Sequence, residues 1–476
     1  MIKNNFDNNM LLDKNVSFIT LGCKVNSYES DAMEKKFITA GCNIVRIDQK
    51  SDVVVINTCT VTNMADKKSR QMINRVRKNN PEAVIVATGC YVQEAYDEIL
   101  KSGVADIVIG NNKKKDVVEI VNKYFEDHSF NKAVIDINDK QCDYEEMSID
   151  KNMENTRAYI KIQDGCNQFC SYCIIPYARG RIRSRLKEDI LNEVKQLAAN
   201  GYKEVVVTGI HVSSYGMDFE NDDTFETRDY NPFKFKYLTD ILDEIGKIEG
   251  IERIRLSSLE PRIITDEFLS ILSENKKICP HFHLSLQSGC DATLKRMNRK
   301  YDTAVYMEGI ERLRKYYDNP AITTDVIAGF VGETDEEFET TYSFVEKCRF
   351  SMVHVFKYSR RKGTVADRMS GHLAEIVKTK RSARLLKLTQ KMHIDYMRTF
   401  LGKTEKVLFE ESMVVEDKTY FVGHNERYVK IAVAGTIDNE GDFVTDTGVK
   451  VKSNDILNVE IEDILTDDVV VGKIKS

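Results

Sequence analysis

The first part of the chain alternates short apolar runs with amphipathic segments. The runs "VSFITLG" (Val16–Gly22), "VVVIN" (Val53–Asn57) and "AVIVATG" (Ala83–Gly89) are rich in valine and isoleucine, which predicts buried strands. The segments between them, such as "SYESDAMEKKFITAG" and "ADKKSRQMINRVRKNN", have helical periodicity. This alternation predicts an α/β fold with a doubly wound parallel sheet, in a first domain assigned to residues 15–125. Residues 111–152 are polar and charged, and we expect much of this stretch to be a connector.

A second alternating series follows, and we assign it to residues 152–395. Its six candidate strands are "AYIKIQD", "EVVVTG", "RIRLSS", "FHLSLQ", "AITTDVIAG" and "MVHVFKYS". Six strand–helix units predict a partial (βα)6 barrel, because a complete barrel of this type has eight. Thr334, three residues before Glu337, indicates a capping box at one helix start. The acidic insertion at Met217–Phe233 is predicted to be an exposed loop.

The last part of the chain changes character again. A long helical stretch over Ala374–Leu401 leads to short strands separated by turns such as "DNEGD" and "KSND". This pattern predicts a small antiparallel β-barrel over residues 398–470. From Arg398 onward, 10 lysines and arginines face 16 aspartates and glutamates, so this domain is acidic.

Composition narrows the class of protein. The 476 residues carry a formal net charge of −6, with no apolar run long enough for a membrane span and no apolar segment typical of a secretory signal. We therefore expect a cytoplasmic protein that does not bind a membrane. In such a protein, the 11 cysteines favour metal-binding or catalytic roles over disulfides.

Three of the cysteines lie close together in "DGCNQFCSYCIIPYARGRIRSR". Cys166, Cys170 and Cys173 directly follow the first strand of the second series, where chemistry gathers in parallel barrels. A zinc ribbon would bring a second C-x2-C pair, which is absent from the sequence. Iron–sulfur clusters usually take four thiolates, so three would leave one iron open to another ligand.

A second set of cysteines is spread along the first domain. Cys23, Cys59 and Cys90 each follow a predicted strand by one or two residues. Because the carboxyl ends of parallel strands share one edge, these three are expected to converge and hold a second cluster. Five other cysteines are predicted to be small buried side chains: Cys42, Cys142, Cys279, Cys290 and Cys348.

The spacing C-x3-C-x-aromatic-C, with Tyr172 as the aromatic residue, resembles the radical S-adenosylmethionine superfamily. Over about residues 15–470, the chain is similar to the methylthiotransferase family. Motifs that carry the resemblance are "LGCKVNSYES", "NTCTVTNMADKKSRQ", "TGIHVSSYG", "HLSLQSGCDATLKRMNRKY" and "HVFKYSRRKGT". "GCKVN" resembles the threonylcarbamoyladenosine branch, whereas the isopentenyladenosine branch tends to have "GCQMN" and the ribosomal-protein branch "GCPKN". Val331, Lys357 and Val365 replace prolines of the family pattern, which alters loop stiffness more than chemistry.

The resemblance implies an enzyme that converts N6-threonylcarbamoyladenosine at position 37 of tRNA to its 2-methylthio derivative. It implies two [4Fe-4S] clusters, with S-adenosylmethionine as the fourth ligand at Cys166, Cys170 and Cys173. One electron from that cluster would cleave S-adenosylmethionine to methionine and a 5′-deoxyadenosyl radical, which abstracts hydrogen from the substrate. The auxiliary cluster on Cys23, Cys59 and Cys90 would hold the sulfur, and a second S-adenosylmethionine would methylate it. The C-terminal barrel would be a TRAM domain.

Further contacts are predicted from position. The predicted cofactor contacts are Tyr172 in the cysteine motif and the strand-end residues Gly209, Ser258, Gln287 and Asp325. His211 is interpreted as a loop histidine satisfied by hydrogen bonds to the backbone. Six arginines are predicted RNA contacts: Arg179, Arg181, Arg183 and Arg185 beside the three-cysteine motif at the barrel mouth, and Arg360 and Arg361 in a separate patch. Lys362 and the basic helix "ADKKSRQMINRVRKNN" of the first domain are expected to extend this surface along a tRNA stem. The expected partners are a tRNA anticodon stem-loop, an electron donor such as flavodoxin or ferredoxin, and a sulfur donor.

Several alternatives remain open at this stage. The same chemistry on isopentenyladenosine in tRNA, or on an aspartate of a ribosomal protein, is the nearest one. A non-enzymatic iron–sulfur protein that binds RNA or acts as a sensor belongs to a different class. A structural zinc protein is a weaker third alternative.

Overall fold

A computed structural model describes residues 9–138, 142–150, 156–219 and 235–475. Most of the acidic insertion predicted to be an exposed loop lies outside the described residues, and so does part of the predicted connector. The element bounds below follow the structure, which confirms the α/β class predicted from the alternating pattern.

The first domain is built on a parallel sheet of six strands in the order β2-β1-β3-β4-β5-β6. The strands are β1 (Asn15–Thr20), β2 (Asn43–Ile44), β3 (Val53–Thr58), β4 (Val84–Gly89), β5 (Ile107–Ile109) and β6 (Lys132–Ala133). The strand order reverses between β1 and β3, and in open parallel sheets ligands bind at such a switch point. The predicted doubly wound sheet is therefore confirmed, and its switch point lies beside Cys23 and Cys59.

Helices cover both faces of this sheet. They are α1 (Lys24–Thr39), α2 (Asn63–Asn79), α3 (Cys90–Ser102) and α4 (Val117–Glu126). Val53 and Val55 point to the face covered by α1 and α4, whereas Val54 and Ile56 point to the face covered by α2 and α3. The predicted connector over 111–152 is wrong in its first part, because α4 and β6 lie there. The apolar residues of "VVEIVNKYF" bury one side of α4, so a segment whose flanks are polar still forms part of the first domain.

The second domain is an incomplete parallel barrel of six strands, as predicted. They are β7 (Ala158–Asp164), β9 (Glu204–Gly209), β10 (Arg253–Leu256), β11 (His281–His283), β12 (Ala321–Ala328) and β13 (Met352–Lys357). A two-residue strand, β8 (Arg183–Ser184), pairs antiparallel with the end of β7. Isolated bridges from Ile254 to Ile278 and from Leu259 to Leu284 join the two halves of the barrel wall.

The helices of the barrel wrap its outside. They are α5 (Ile175–Arg179), α6 (Lys187–Ala199), α7 (Lys236–Gly246), α8 (Asp266–Leu272), α9 (Asp291–Arg296), α10 (Thr303–Tyr316), α11 (Asp335–Cys348) and α12 (Glu375–Arg398). The predicted capping box is present at the start of α11, where Thr334 and Glu337 each accept the other's backbone N–H. Within the described part of the chain, no helix combines the length and apolar character needed to cross a membrane.

The third domain is a small closed barrel. Its strands are β14 (Thr404–Val415), β15 (Lys418–His424), β16 (Lys430–Ile437), β17 (Phe443–Thr445), β18 (Lys450–Val451), β19 (Ile456–Thr466) and β20 (Val469–Ile474). Five strands in the order β15-β14-β19-β20-β16 close through the β15–β16 pairing. The pairs are antiparallel as predicted, except that β16 and β20 run parallel.

The loop after β15 docks this domain onto the large barrel. Tyr428 stacks on His424 with ring centroids 4.4 Å apart, and the guanidinium groups of Arg157 and Arg255 lie 4.8 and 4.9 Å from its ring. Arg255 also donates to the Glu426 carbonyl at 2.9 Å. Because Arg157 and Arg255 lie on barrel strands or at their starts, the docked loop closes one end of the barrel interior.

Candidate functional site

The three dispersed cysteines of the first domain converge at one edge of the sheet. Cys23 precedes α1, Cys59 follows β3, and Cys90 opens α3 after β4. The register pairs Thr20 with Asn57 and Thr58 with Gly89, so these three strand ends are adjacent. Burial raises the pKa of the Cys59 thiol to about 11, and the nearby thiols of Cys90 and Cys23 contribute to the rise. The adjacent strand ends thus carry these three sulfurs, here called the first triad.

The turns that carry the first triad are fixed by buried polar contacts. The Asn26 side-chain amide donates to the Leu21 carbonyl at 2.7 Å and to the Thr58 carbonyl at 3.0 Å, joining the ends of β1 and β3. Gly22 has a φ of +115°, and a Cβ there would lie 2.9 Å from the Cβ of Cys59. Only glycine fits this combination of left-handed backbone and close approach. The turn therefore brings Cys23 and Cys59 together before any metal binds.

Cys166, Cys170 and Cys173, the second triad, lie in the loop between β7 and α5. The loop is held by the segment after α9: the Ser171 N–H donates to the Met297 carbonyl at 3.0 Å, and the Asn298 amide donates to the Phe169 carbonyl at 2.9 Å. Phe169 has a φ of +48°, which lets the chain turn back between two cysteines. The three closely spaced cysteines therefore lie in one ordered loop at the barrel mouth.

An arginine side chain contacts one sulfur of each triad; Arg179 is fully buried and Arg299 is half-buried. Arg179 donates from Nε to the Cys90 sulfur at 3.1 Å, and Arg299 donates from a terminal nitrogen to the Cys170 sulfur, also at 3.1 Å. Each guanidinium group also donates to a second partner, Arg179 to the Glu29 carboxylate and Arg299 to the Ser285 carbonyl. Donors to cluster sulfurs tune reduction potential, so these contacts matter for redox chemistry.

The thiol chemistry of both triads fits iron–sulfur clusters. Burial raises the pKa of Cys166 to about 12, and the neighbouring Cys170 thiol adds to the rise. Burial likewise raises the pKa of Cys23 and of Cys173. Without a cation, these thiols are protonated and poor nucleophiles. A bound iron cluster would offset both the cost of burying charged thiolates and the mutual repulsion of the three.

The spacing of the sulfurs disfavours a single zinc ion. Among the described residues, three ligand atoms lie within 4.8 Å of one another only in Asp438, Glu440 and Asp442. A tetrahedral zinc ion with bonds of about 2.3 Å would bring its sulfur ligands to roughly 3.8 Å from each other. Neither triad is drawn in so tightly.

A cavity of about 620 Å³ extends from the first triad into the barrel. Cys23 and Val61 line its mouth on one side, and Ile175, two residues after Cys173, lines it on the other. Its inner wall includes His283 and Asp325, whose Nε2 and Oδ2 atoms are 3.3 Å apart. The cavity is therefore lined by Cys23 of the first triad and by Ile175 of the helix that follows the second triad, and it is large enough for a cofactor or part of a substrate.

Three of the five predicted cofactor contacts line this cavity: Gly209, Ser258 and Asp325. Gln287 is half-buried with a φ of +69°, next to Asp325 through the Gln287 N–H bond to the Asp325 carbonyl at 2.8 Å. Tyr172 packs edge-on against Phe330, and its ring belongs to a small apolar cluster. The structure brings the first three together and leaves Gln287 and Tyr172 outside the cavity lining.

His211 is held as a neutral side chain. Its Nδ1 lies 2.6 Å from the Ser214 hydroxyl, and its backbone N–H donates to the Gln163 side-chain carbonyl at 2.8 Å. Burial lowers the pKa of His211 to about 3, with Arg299 and Arg262 adding to the effect. The interpretation as a locally satisfied histidine agrees with this geometry, although the partner of its ring is a hydroxyl and not the backbone.

The predicted RNA contacts need correction at four of the six arginines. Arg179 and Arg185 are 0% and 1% exposed, and Arg183 and Arg361 are 5% and 6% exposed. Arg185 pairs with Glu146 and Glu193, and Arg361 pairs with Asp66 at 2.6 Å. These guanidinium groups are engaged inside the protein and have no surface for a phosphate; Arg179 and Arg361 also join the first domain to the barrel. Arg181 and Arg360 are exposed and keep the predicted position.

A basic surface does exist beside the site. The exposed cations of α2 are Lys67, Lys68, Arg70, Arg75 and Lys78. The start of α2 is fastened to the loop after β13, because the Asn63 amide donates to the Arg360 carbonyl at 2.6 Å. Exposed Arg360 and Lys362 therefore continue the surface of α2 at the end of the barrel that carries the second triad. We call these residues the basic surface.

Sequence reasoning missed several residues of the site. Glu29 and Lys161 form a buried ion pair at 2.7 Å behind Arg179, and Arg299 reaches Cys170. Nothing in the local pattern marks these side chains, since Glu29 lies within an ordinary helix. Four cysteines predicted to be buried are buried, whereas Cys142 is half-buried because it lies in the segment that follows β6.

Comparisons with known proteins agree with this geometry. Residues 15–110 match the Uncharacterized protein family UPF0004, and residues 160–345 match the Radical SAM superfamily. The solved structure of the radical S-adenosylmethionine methyltransferase TsrM from Kitasatospora setae superposes with a TM-score of 0.53 at 12% identity, over 75% of this chain and 77% of that one. At that identity, the likeness shows the fold alone.

Two curated relatives cover nearly the whole chain. The threonylcarbamoyladenosine tRNA methylthiotransferase MtaB of Bacillus subtilis is 42% identical over 90% of this chain and 92% of its own length. A tRNA-2-methylthio-N(6)-dimethylallyladenosine synthase of Clostridium botulinum is 32% identical over 93% and 96%, respectively. The chain belongs to the tRNA methylthiotransferase family of radical S-adenosylmethionine proteins.

Proposed function

We propose that this protein is a tRNA methylthiotransferase that replaces the hydrogen on carbon 2 of N6-threonylcarbamoyladenosine at position 37 with a methylthio group. The observation that carries the proposal is the pair of cysteine triads at the ends of parallel strands, each with an arginine that donates to one of its sulfurs, beside a cavity lined by Cys23 and Ile175. We assign one [4Fe-4S] cluster to Cys166, Cys170 and Cys173 and an auxiliary one to Cys23, Cys59 and Cys90. S-adenosylmethionine, bound at the second triad, supplies the radical chemistry that an unactivated C–H bond requires.

The chain's own residues position the reactants and exclude water. Gly209, Ser258 and Asp325 line the cavity that begins at Cys23, where a cofactor and a target base would meet. His211 is neutral and locally bonded, so it does not serve as an acid or a base near neutral pH. The docked loop with Tyr428 closes the far end of the barrel, so the reacting groups are shielded from bulk water.

The higher identity to the threonylcarbamoyladenosine relative supports this substrate over isopentenyladenosine. The first relative is 42% identical and the dimethylallyladenosine synthase is 32% identical. The motif "GCKVN" supports the same choice. Methylthiolation of isopentenyladenosine remains the alternative that the experiment below separates.

The basic surface is the proposed binding site for the anticodon stem. Its cations lie on α2 and on the loop after β13, beside the mouth of the cavity. Phosphate contacts from lysine and arginine would orient the stem, and the target base would be splayed out of its loop into the cavity. The C-terminal barrel, proposed as a TRAM domain, carries a net charge of −6, so uniform attraction does not explain RNA binding there.

The remaining assignments follow from the chemistry. We propose domain limits of 15–125, 152–395 and 398–470, with the first domain extended to β6 at Lys132–Ala133. The reaction needs one-electron reduction, which a flavodoxin or ferredoxin would supply, and an external sulfur donor. Since its substrate is tRNA, we place the enzyme in the cytoplasm.

The decisive experiment measures modified nucleosides by mass spectrometry in tRNA from a deletion strain. Restoring the gene is expected to restore 2-methylthio-N6-threonylcarbamoyladenosine. A gene that encodes Cys166→Ala should not restore this nucleoside. The matched gene for Cys42→Ala should restore it, because Cys42 lies in the core away from both triads. If only the isopentenyl derivative responds, the substrate assignment is wrong. If no tRNA nucleoside responds, the enzymatic proposal fails.

A further inference from the structure

One lysine of the cavity has no carboxylate partner. Lys24 is the first residue of α1, directly after Cys23, and its exposed side chain lines the cavity. Within the described part of the chain, no carboxylate oxygen lies within 4.0 Å of its ammonium group. The first turn of α1 also contains no acidic residue. A positive charge at the start of a 16-residue helix therefore faces the cavity uncompensated.

The other cations around this space are already engaged. Arg157 pairs with Glu410 at 2.9 Å and Arg255 with Glu204 at 2.8 Å. Arg427 lies 3.6 Å from Glu405 and donates to the Asn319 carbonyl at 3.0 Å. Of the carboxylates that line the cavity, Asp325 is paired with His283. Lys24 is thus the cation of this cavity that is available for an anionic group of a ligand.

We propose that Lys24 binds the carboxylate of the threonylcarbamoyl group and thereby selects this substrate. The inference rests on the proposed function and deepens it. The threonylcarbamoyl group carries one carboxylate, and the dimethylallyl group is neutral, so one ammonium at this position distinguishes the two. Because Lys24 follows Cys23 directly, the ion pair would hold the modified adenosine beside the first triad. Charge-assisted hydrogen bonds in a partly enclosed site are strong enough to determine such a choice.

S-adenosylmethionine also carries a carboxylate, so the test must separate the two sources. The probes are two anticodon stem-loops, one with the natural threonylcarbamoyl group and one with its carboxylate converted to a carboxamide. Affinity is measured by fluorescence anisotropy on cluster-loaded protein, and S-adenosylmethionine affinity is measured in parallel by calorimetry. The variants are Lys24→Met, Lys24→Arg and the matched control Lys36→Met in the last turn of the same helix.

The wild-type protein and Lys36→Met are expected to bind the carboxylate stem-loop roughly tenfold more tightly than the carboxamide. Lys24→Met should lose this preference, and Lys24→Arg should keep most of it because the charge is retained. Since binding is measured on cluster-loaded protein and needs no turnover, the result does not depend on the catalytic activity of a variant.

The proposal is overturned if Lys24→Met keeps the full preference for the carboxylate stem-loop. If that variant also binds S-adenosylmethionine more weakly, Lys24 is assigned to the cofactor instead. A different result would show that the proposed function is wrong. The wild-type protein would then methylthiolate an isopentenyladenosine stem-loop and leave the threonylcarbamoyl stem-loop unchanged, and both proposals would fail.

Discussion

The Nε atom of Arg179 donates a hydrogen bond to the sulfur of Cys90 at 3.1 Å, although the two residues belong to different domains. Arg179 ends α5 of the barrel, directly after the second triad, and Cys90 begins α3 of the first domain. The same guanidinium pairs with Glu29 at 2.8 Å and with Asp164 at 3.2 Å. One side chain thus joins the loop of one triad to a ligand of the other.

Arg179→Lys is expected to lower the reduction potential of the auxiliary cluster. Lysine keeps the charge, but it cannot present the guanidinium fork to Glu29, Asp164 and Cys90 at once. Loss of a donor to a cluster sulfur disfavours the electron-rich reduced state. Redox titration followed by electron paramagnetic resonance checks this. The matched Arg299→Lys should lower the potential of the other cluster instead, and equal shifts of both clusters in either variant would contradict the assignment.

Glu29→Gln is expected to destabilise the protein at neutral pH. Burial by itself would raise the pKa of Glu29, but Arg179, Lys114 and Lys161 outweigh it and hold the pKa well below its usual range. Glutamine would leave these cations without their carboxylate, which typically costs about 3–5 kcal/mol for a broken buried pair. Urea unfolding at pH 7 measures the difference. An unchanged unfolding midpoint would show that the ion network does not stabilise the fold.

The difference in unfolding stability between the wild-type protein and Glu29→Gln should also depend on pH. Because the folded pKa of Glu29 is depressed, its contribution is present above the unfolded pKa of about 4.3 and is lost only as pH falls through the lower folded value. The advantage of the wild-type protein over Glu29→Gln should therefore persist at pH 5 and decline below about pH 4. Glu119→Gln, which removes an exposed pair with Lys123, serves as the control and should change little at either pH.

Cys59→Ala and Cys166→Ala are each expected to reduce bound iron from about eight to about four atoms per chain, because each removes a ligand of one [4Fe-4S] cluster. Cys59→Ala should still cleave S-adenosylmethionine, whereas Cys166→Ala should not. Iron analysis and the release of methionine measure the two effects. Cys42→Ala, whose thiol donates to the Leu11 carbonyl at 3.3 Å, should retain both clusters. Full iron content in Cys59→Ala would refute the first triad as a cluster site.

Reversing charge on the basic surface is expected to weaken tRNA binding. Lys67→Glu with Lys68→Glu should reduce affinity at all salt concentrations and lower the slope of log K against log salt by about one per lost phosphate contact. Filter binding at several salt concentrations gives both quantities. Lys247→Glu, at the opposite end of the barrel where β10 begins, is the control. An unchanged slope in the double variant would place the tRNA on another surface.

Local signals were sufficient for much of the fold. Buried parallel strands are short apolar runs, and the runs that begin at Val53, Ala158 and Glu204 correspond closely to strands of the structure. The position of the six triad cysteines after strand ends followed from the same pattern, since parallel strands end at one edge. The start of α11 was also predictable, because a capping box depends on two residues three apart.

The run of arginines after Cys173 shows where sequence reasoning fails. Arg179, Arg183 and Arg185 form a basic stretch without an acid, which is typical of phosphate contacts. In the folded chain, Glu29 lies 150 positions from Arg179 in sequence and Glu146 lies 39 positions from Arg185, yet each contacts its arginine. A charge pattern shows which side chains carry charge, but it does not show which distant carboxylates neutralise them.

By itself, the sequence determined the three-part architecture and the six cysteines, because both depend on periodicity and on short spacings along the chain. Only the tertiary structure decided which cations are buried partners and which remain available. It paired Arg179 with Glu29 and Arg361 with Asp66 across domain boundaries, it buried Arg185 against Glu193, and it left Lys24 facing the cavity. The physical reason is that a strand or a turn is stabilised by neighbours in sequence, whereas the partner of a charged side chain is set by the packing of whole domains.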